Sequence, residues 1–566
     1  MRISVLLASC VTLTLPAVAQ QIYDIYSTTW DQSTLFTYQN LGSNPINFGT
    51  PGSTGAADIV VNDGQIYQTM FGHGASLTDS AAQLLSNLKS SNSNNYWSLL
   101  GRLFDPTDGN NGAGLSYLRV PLGASDFSSN TYSFDDTSGD TSLNNFNIDR
   151  APSYLFSIIK DIYGMNPYLK VHILPWSPPG WMKDSGTMNG GNFLDQYSTP
   201  YANYLLKALQ GFQNKGIPIY AIGIQNEPEN SNPTYPTCKI SASQEAQIGN
   251  TLRSLMNNNG FSNVKLIGYE HNWNDAGGYP VQVIQQANSA FAGVSFHCYS
   301  GSVGQQDTFH NAFPSKEVYF TECSGSQGSD WWSDIKWYMD NLYVGSVEHW
   351  SSAVLMWNLA LDGSGDPELP GSNSCDNPRC RGVVTISGSS YTFNQECTLF
   401  YFHSESKRLS HFFFSAVYAM AQASKAIVPK DKNGPWGQRI GVTVNGGTNW
   451  ALRVGAYVTH RNSASDWNRY SLVVMNWNDN TNGNWNPQTV KATIEFRGMQ
   501  ATYTFPVGVT TLWWYAVPTS SFKRETGFVE LDETDDPVIA FTNNATHIPQ
   551  YTQEANWGEP SSSTVH

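Results

Sequence analysis

Charge is scarce in this chain. Lys, Arg, Asp and Glu make up 13% of its 566 residues, and the 30 basic residues are outnumbered by 45 acidic ones. A net charge of −15 argues against nucleic acid or anionic lipid as a partner, because both require a basic surface. Long apolar runs are also missing beyond the amino terminus. No later stretch approaches the roughly 18 uninterrupted apolar residues of a membrane span, so no membrane anchor is expected. Cysteines number seven, and no second close Cys or His pair falls at ligand spacing, which argues against a zinc site.

What is present begins with an export signal. Arg2 precedes an apolar stretch over 3–15, and Pro16-Ala17-Val18-Ala19 forms a small-x-small cleavage site before Gln20. Residues 1–19 therefore read as a secretory signal peptide, and the mature protein is expected to be extracellular. Asn, Ser, Gly and Thr dominate the polar residues. Aromatics reach 13% with 18 Trp; many belong to the core, and so many Trp also suit a protein that stacks rings on sugar faces.

Strand counting organises the rest. Eight short runs of β-type residues lie at 66–72, 114–122, 168–175, 219–225, 264–269, 293–297, 317–321 and 353–358. Most are continuously apolar, as expected of strands buried on both faces. Helix-like stretches fall between several of them, including 241–258, opened by Ser241 and stopped by Asn259-Gly260. Eight strands alternating with helices predict a (β/α)8 TIM barrel over 66–430. From 431 to 517 six short strands separated by Gly, Asn and Pro turns predict an appended antiparallel β-sandwich, with strands from 20–65 joining it. Residues 518–566 read as a polar tail, and it holds the sequon Asn544-Ala-Thr546.

In such a barrel, chemistry belongs at the C-terminal strand ends. There the polar and aromatic residues accumulate: Arg119 to Ser128 after strand two, Pro175-Trp176-Ser177-Pro178-Pro179 after strand three, and Gln225-Asn226-Glu227-Pro228 after strand four. Glu270-His271-Asn272-Trp273, His297-Cys298-Tyr299, Glu322 and Trp357-Asn358 follow strands five to eight. Two glutamates at two strand ends, Glu227 and Glu322, 95 positions apart, suggest an acid/base and a nucleophile facing one sugar.

These motifs resemble glycoside hydrolase family 30, the glucosylceramidase-like group, over residues 22–517. Arg-Val-Pro…Ser-Asp-Phe-Ser, Pro-Trp-Ser-Pro-Pro…Trp-Met-Lys, Asn-Glu-Pro, His-Cys-Tyr, Thr-Glu-Cys and Trp-Asn-Leu-Ala occur in the family's order. The resemblance implies Glu227 as general acid/base and Glu322 as nucleophile of a retaining hydrolysis. It implies that Asn226 bonds the 2-hydroxyl, that Asp126, Trp176 and Trp357 line the catalytic subsite, and that His297 and Tyr299 flank the nucleophile. Arg119 would lie beneath the carboxylates and keep Glu322 ionised, while Glu227 holds a proton until it is used; a structural brace is the alternative role for Arg119. No metal or organic cofactor is implied, and a monomer is expected.

The loop around Asp126 is most similar to that of fungal secreted members that cut β-1,6-glucan, and the polar loops suit a polysaccharide better than a lipid. The alternatives are a glucosylceramidase or β-glucosidase, a xylan-active enzyme, and a carbohydrate-binding protein with an inactive barrel. Asp79 reads as a brace of the first helix, Glu229 as a solvated loop residue, and Glu270, His271 and Trp273 as a subsite wall without a definite role.

Two further expectations concern covalent structure. Cys375 and Cys380 are spaced to close a small loop. Cys298 and Cys323 lie on neighbouring strand ends, either as a disulfide or as two small buried hydrophobes, with the second reading favoured. Residues 397–417 interrupt what otherwise joins as one helix started by Asn394, and Phe412-Phe413-Phe414-Ser-Ala-Val is how a pyrimidine tract and splice acceptor would translate. The segment is read as translated intron.

Overall fold

The computed structural model describes residues 20–393, 415–481 and 483–518. The signal-peptide segment, most of the suspected intron segment and the tail from 519 lie outside the described residues.

Eight parallel strands close into a barrel. In chain order they are Gly72–Ser76, Tyr117–Pro121, Lys170–Leu174, Ala221–Gly223, Lys265–Asn272, Gly293–His297, Glu317–Glu322 and Ser351–Met356. The first differs from expectation. The run at 66–72 was assigned to the barrel, but residues up to 69 extend a long strand, Ala57–Thr69, that pairs with Gln438–Asn445 outside it. The barrel strand starts only at Gly72. Residues 62–69 are exposed or half-buried throughout, as on an outer strand, whereas Gly72–Ser76 is buried throughout.

Helices pack around the barrel as the local signals require. The helix Ala242–Asn258 opens with a capping box between Ser241 and Gln244. The helix Asp79–Ser91 is capped by Thr78, whose side chain accepts from the Ala81 amide.

The appended β-structure is one continuous ten-stranded sheet rather than two separate sheets. It draws on both chain ends: Gln21–Thr29 pairs with Gly508–Ala516, and Ala57–Thr69 joins Gln438–Asn445. One pair, Ala57–Thr69 with Val490–Phe496, is parallel in an otherwise antiparallel arrangement. Phe496 and Trp514 stand on strands far apart in sheet order, yet their rings lie 5.3 Å apart. The sheet therefore curls over itself and encloses its own core.

Inside the barrel, side chains form two layers. Tyr117, Ile267, Tyr319 and Leu355 fill the lower part with apolar bulk. Two residues further up strand two the inward position is Arg119, since alternate residues share a face. The upper layer holds buried polar groups: Arg119, His172, Glu270 and His297 are all fully buried. Such groups are tolerated only when paired, and their pairing builds the site.

Candidate active site

Arg119 is the hub. One guanidinium nitrogen, Nη1, lies 2.5 Å from Glu322 Oε2. The other, Nη2, donates to Asn226 Oδ1 at 2.5 Å and to Glu270 Oε2 at 3.2 Å. The guanidinium also lies 4.7 Å from the centre of the Trp176 ring. Burial would favour a neutral arginine, but Glu270 and Glu322 outweigh it and keep the charge. Arg119 thus reaches the ends of strands four, five and seven at once.

The carboxylates face inward because the strands are irregular. Phe296 pairs with Phe320, but the next residue, His297, pairs with Glu322, so Thr321 is an extra residue. Regular alternation would send Thr321 and Glu322 to opposite faces. Instead both reach the interior: Thr321 Oγ1 donates to Glu270 Oε2 at 2.6 Å while Glu322 meets Arg119. Strand five has a similar bulge, with Val294 opposite Gly268 and Phe296 opposite His271. Tyr269 and Glu270 there have φ of 72° and 51°, which turns Glu270 into the barrel. Glu227 also takes a positive φ, 47°. Its amide donates to Glu270 O at 3.0 Å and that of Asn226 to Pro175 O at 2.8 Å, which holds the Asn-Glu turn between strands three and five.

Glu227 and Glu322 are held by different groups. His297 Nδ1 lies 3.1 Å from Glu227 Oε1, and Asn230 Nδ2 donates to Glu227 Oε2 at 3.0 Å. Glu322 accepts from Arg119 on Oε2 and from the Tyr299 hydroxyl on Oε1 at 3.1 Å. His297 also faces Glu270, 3.6 Å from Nε2 to Oε2. Burial would strip the imidazole of its proton, but the charge of Glu322 and the bonds to Glu227 and Glu270 raise it to about 9. Burial would likewise raise Glu227, yet the His297 bond and the His271 and His297 charges hold it down at about 2. Burial raises Glu322, opposed by His297 and Arg119. With donors on both of its oxygens, Glu322 is best bonded as the anion.

The resting proton is therefore not where it was expected. The sequence places it on Glu227; the carboxylates around His297 favour it on the imidazole, one hydrogen bond away. The correction follows from two carboxylates, Glu227 and Glu270, converging on one imidazole.

The other assigned residues surround the same pocket. Trp176 and Trp357 stack with centroids 5.0 Å apart, and Phe127 meets Trp357 edge-on at 5.9 Å. Asp126 is buried, and its Oδ1 has no protein partner. Burial followed by the charge of Glu322 raises its carboxyl well above the usual range. Asn226 gives its carbonyl to Arg119, which leaves its amide nitrogen as the end without a partner among the described residues.

Three other readings change. Cys298 and Cys323 form a disulfide, against the reading as buried hydrophobes; it joins the residues that follow His297 and Glu322. Cys375 and Cys380 are also bonded, and Cys238 is free and buried. Glu270 is no subsite wall: it is fully buried, with His172 Nε2 at 3.3 Å and Arg119 on its other side. Burial opposes its charge, but Arg119 and His172 hold it well below the ordinary carboxylate range. Its signal was an acidic residue directly beyond an apolar strand, the same signal as Glu322. Trp273 is buried too, its indole donating to Gln306.

Asp79 behaves as read. It accepts from Ser128 Oγ at 2.7 Å and Tyr132 at 2.9 Å, which ties the first helix to the loop that carries Asp126. Glu227, His271 and His297 set ligand-type atoms within 4.8 Å of one another. Within this trio Nδ1 of His297 faces Glu227 Oε1 at 3.1 Å and Nδ1 of His271 lies 3.8 Å from the same oxygen.

The glycosyl hydrolase family 30 TIM-barrel domain matches residues 70–406. An endo-1,6-beta-D-glucanase of Neurospora crassa is 36% identical over 360 residues, covering 61% of this chain and 72% of that protein. Lysosomal acid glucosylceramidase of Mus musculus is 26% identical over 344 residues, covering 55% and 63%. Among solved structures, an endo-beta1,6-glucanase superposes with a TM-score of 0.70 at 26% identity, covering 87% of this chain and 99% of that one.

Proposed function

Since the chain belongs to glycoside hydrolase family 30, and is thereby a glycoside hydrolase, we propose that it is a secreted, retaining endo-β-1,6-glucanase. Glu322 is its nucleophile and Glu227 its acid/base. The observation that carries this reading is the pair of carboxylates at the ends of strands four and seven, one held by His297 and the other by Arg119 and Tyr299.

Cleavage of a glycosidic bond passes through an oxocarbenium-like state. Glu322, aimed by Arg119 and Tyr299, attacks C1 while the leaving oxygen takes a proton from Glu227. That proton arrives from His297 Nδ1 along the bond to Glu227 Oε1. Once Glu322 is esterified its negative charge is gone, so His297 loses the largest influence favouring its proton. Glu227 then accepts a proton from water, which attacks C1 and releases the sugar with its configuration retained. The free amide nitrogen of Asn226 suits the 2-hydroxyl, and the unpartnered Oδ1 of Asp126 suits another hydroxyl of the same ring.

The β-1,6-glucan assignment rests on the names of the relatives and on the rim. Among the described residues the large exposed apolar side chains are Ile66, Trp97, Tyr299, Trp337, Trp450 and Trp485, and of these only Tyr299 contacts the site. A ceramide tail would want aliphatic surface there. No described helix is long and apolar enough to cross a membrane. Export is assigned to residues 1–19, so the secreted protein should begin at Gln20.

Product analysis tests the reading. The purified protein should release oligosaccharides from β-1,6-glucan, with the β-anomer formed first by NMR. Hydrolysis of glucosylceramide but not of the glucan would replace the substrate assignment, and binding without release of reducing sugar would remove the enzymatic one.

A further inference from the structure

A second group of aromatic residues stands outside the catalytic pocket. Residues 476–488 read Asn-Trp-Asn-Asp-Asn-Thr-Asn-Gly-Asn-Trp-Asn-Pro-Gln, with the triplet Asn-Trp-Asn occurring twice. The segment turns back on itself: Asn480 pairs with Trp485, and the Asn486 and Gln488 amides donate to Asp479 O and Asn478 O at 2.7 Å. Trp485 is 52% exposed at this hairpin, and Trp450, 56% exposed, sits beside its base. The Trp477 indole donates to Trp450 O at 2.6 Å. Trp477 and the Asn480–Trp485 pair are three residues apart along the strand, about 10 Å.

The hairpin is not a loose surface loop. Asp479 Oδ2 accepts from the Trp332 indole at 2.6 Å and from Lys336 Nζ at 2.8 Å. The Trp485 ring meets that of Trp30 at 4.8 Å, and Trp30 O in turn accepts from the Trp331 indole at 3.0 Å. Trp331 and Trp332 open the helix Trp331–Tyr338. That helix follows barrel strand seven, so its first turn lies at the same end of the barrel as Glu322. Trp331 lies nine positions beyond Glu322, which bounds their separation at about 30 Å.

The chemistry of the surface selects its ligand. Asp479 is the one charged residue within 476–488, and it is occupied by Trp332 and Lys336. Among the described residues of the hairpin, the exposed side chains are Asn480, Thr481, Asn484, Trp485, Asn486 and Gln488, so indole and carboxamide predominate. An apolar protein surface or a lipid would find little to bury here, and a charged ligand would find no counter-ion. Flat indole faces bordered by amides match a neutral, hydroxyl-rich polymer whose rings have apolar faces.

We propose that Trp450 and Trp485 form a secondary binding platform for a strand of the glucan substrate, at the catalytic end of the barrel and separate from the catalytic pocket. The choice of glucan rests on the function proposed above; the platform itself rests on the hairpin. It holds the polymer near the catalytic pocket between cleavages, so it acts on long or insoluble substrate and not on short oligosaccharides.

The test uses the full-length E322Q protein, which does not consume its ligand, and measures adsorption to insoluble β-1,6-glucan by depletion. Adding Trp450→Ala and Trp485→Ala should weaken adsorption about tenfold, whereas Trp485→Phe should retain most of it. In the active enzyme the same double substitution should slow hydrolysis of insoluble glucan and leave kcat/KM on a soluble β-1,6-gluco-oligosaccharide unchanged. Unaltered adsorption, or equal losses on both substrates, overturns the platform. If the active enzyme fails to cut β-1,6-glucan while E322Q still adsorbs to it through these tryptophans, the activity assignment fails and the platform stands.

Discussion

His297→Gln is the most informative single change, because it separates the store of the proton from its user. The imidazole is raised from its ordinary 6.5 to about 9, a net preference for its charged form of roughly 3 kcal/mol after the cost of burial. Glu227 is lowered from 4.5 to about 2 by the same contact. In the native enzyme the proton needed for bond cleavage should stay available until His297 itself titrates, so the alkaline limb of kcat/KM should fall near pH 9. In the glutamine variant the proton must sit on Glu227 alone, and the limb should move below neutrality.

Stability should follow the same pair. A raised histidine stabilises fully below pH 6.5 and loses that contribution as pH climbs through about 9. A lowered carboxyl stabilises above pH 4.5 and loses its contribution as pH falls toward 2. The Tm advantage of the native protein over His297→Gln should therefore be greatest between about pH 4.5 and 6.5 and shrink on either side. The assay is a pH series of kcat/KM on a soluble oligosaccharide, with melting curves in the same buffers. An alkaline limb that does not move on substitution would refute the reasoning, and so would a Tm difference that is flat with pH.

Glu227→Gln should lower kcat on β-1,6-glucan by about 10²–10⁴ and act less on aryl glucosides whose leaving groups need no proton; equal losses on both would remove Glu227 from the acid role. Glu270→Gln removes one of the two carboxylates that face each of the buried Arg119 and His297 charges, so it should cost up to about 3–5 kcal/mol in chemical denaturation. It should also draw the alkaline limb downward, and a shift in stability alone would make Glu270 purely structural. Replacing Cys298 and Cys323 by Ser opens a link across 25 residues and should cost about 3 kcal/mol of stability in urea; an unchanged midpoint would show that the disulfide does not hold the two strand ends.

Much of the site was legible because barrel strands advertise themselves. Apolar runs buried on both faces end abruptly, and the first polar residue beyond each one belongs to the rim. Glu227, Glu322, Asn226, Trp176 and Trp357 were all found by that rule, and the structure sets them around one pocket. Arg119 was found at the end of strand two, and its role beneath the carboxylates came from the family resemblance. Glu270 obeyed the same rule as Glu322 and was undervalued, because its importance lies in what it touches: His172 and Arg119 come from other strands.

What remained hidden depended on register and distance between segments remote in sequence. The first barrel strand was displaced because residues 66–69 of the run at 66–72 belong to the outer strand Ala57–Thr69, a matter of which strand they pair with. The Cys298–Cys323 bond is a statement about the spacing of strands six and seven, which composition does not encode. The single curled sheet could not be told from two, since each strand shows the same alternation in either arrangement.

The sequence by itself determined the barrel, the appended β-structure, and Glu227 and Glu322 as the carboxylates at the ends of strands four and seven. Those follow from local periodicity and from residues adjacent in the chain. Only the tertiary structure decided which way those carboxylates point and which groups converge on His297. The bulges at Thr321 and at Tyr269-Glu270 turn Glu322 and Glu270 inward against the alternation of their strands. Glu227 and Glu270 then converge on His297. Inter-strand register and mutual electrostatics act between residues that meet only on folding, so no local pattern could report them.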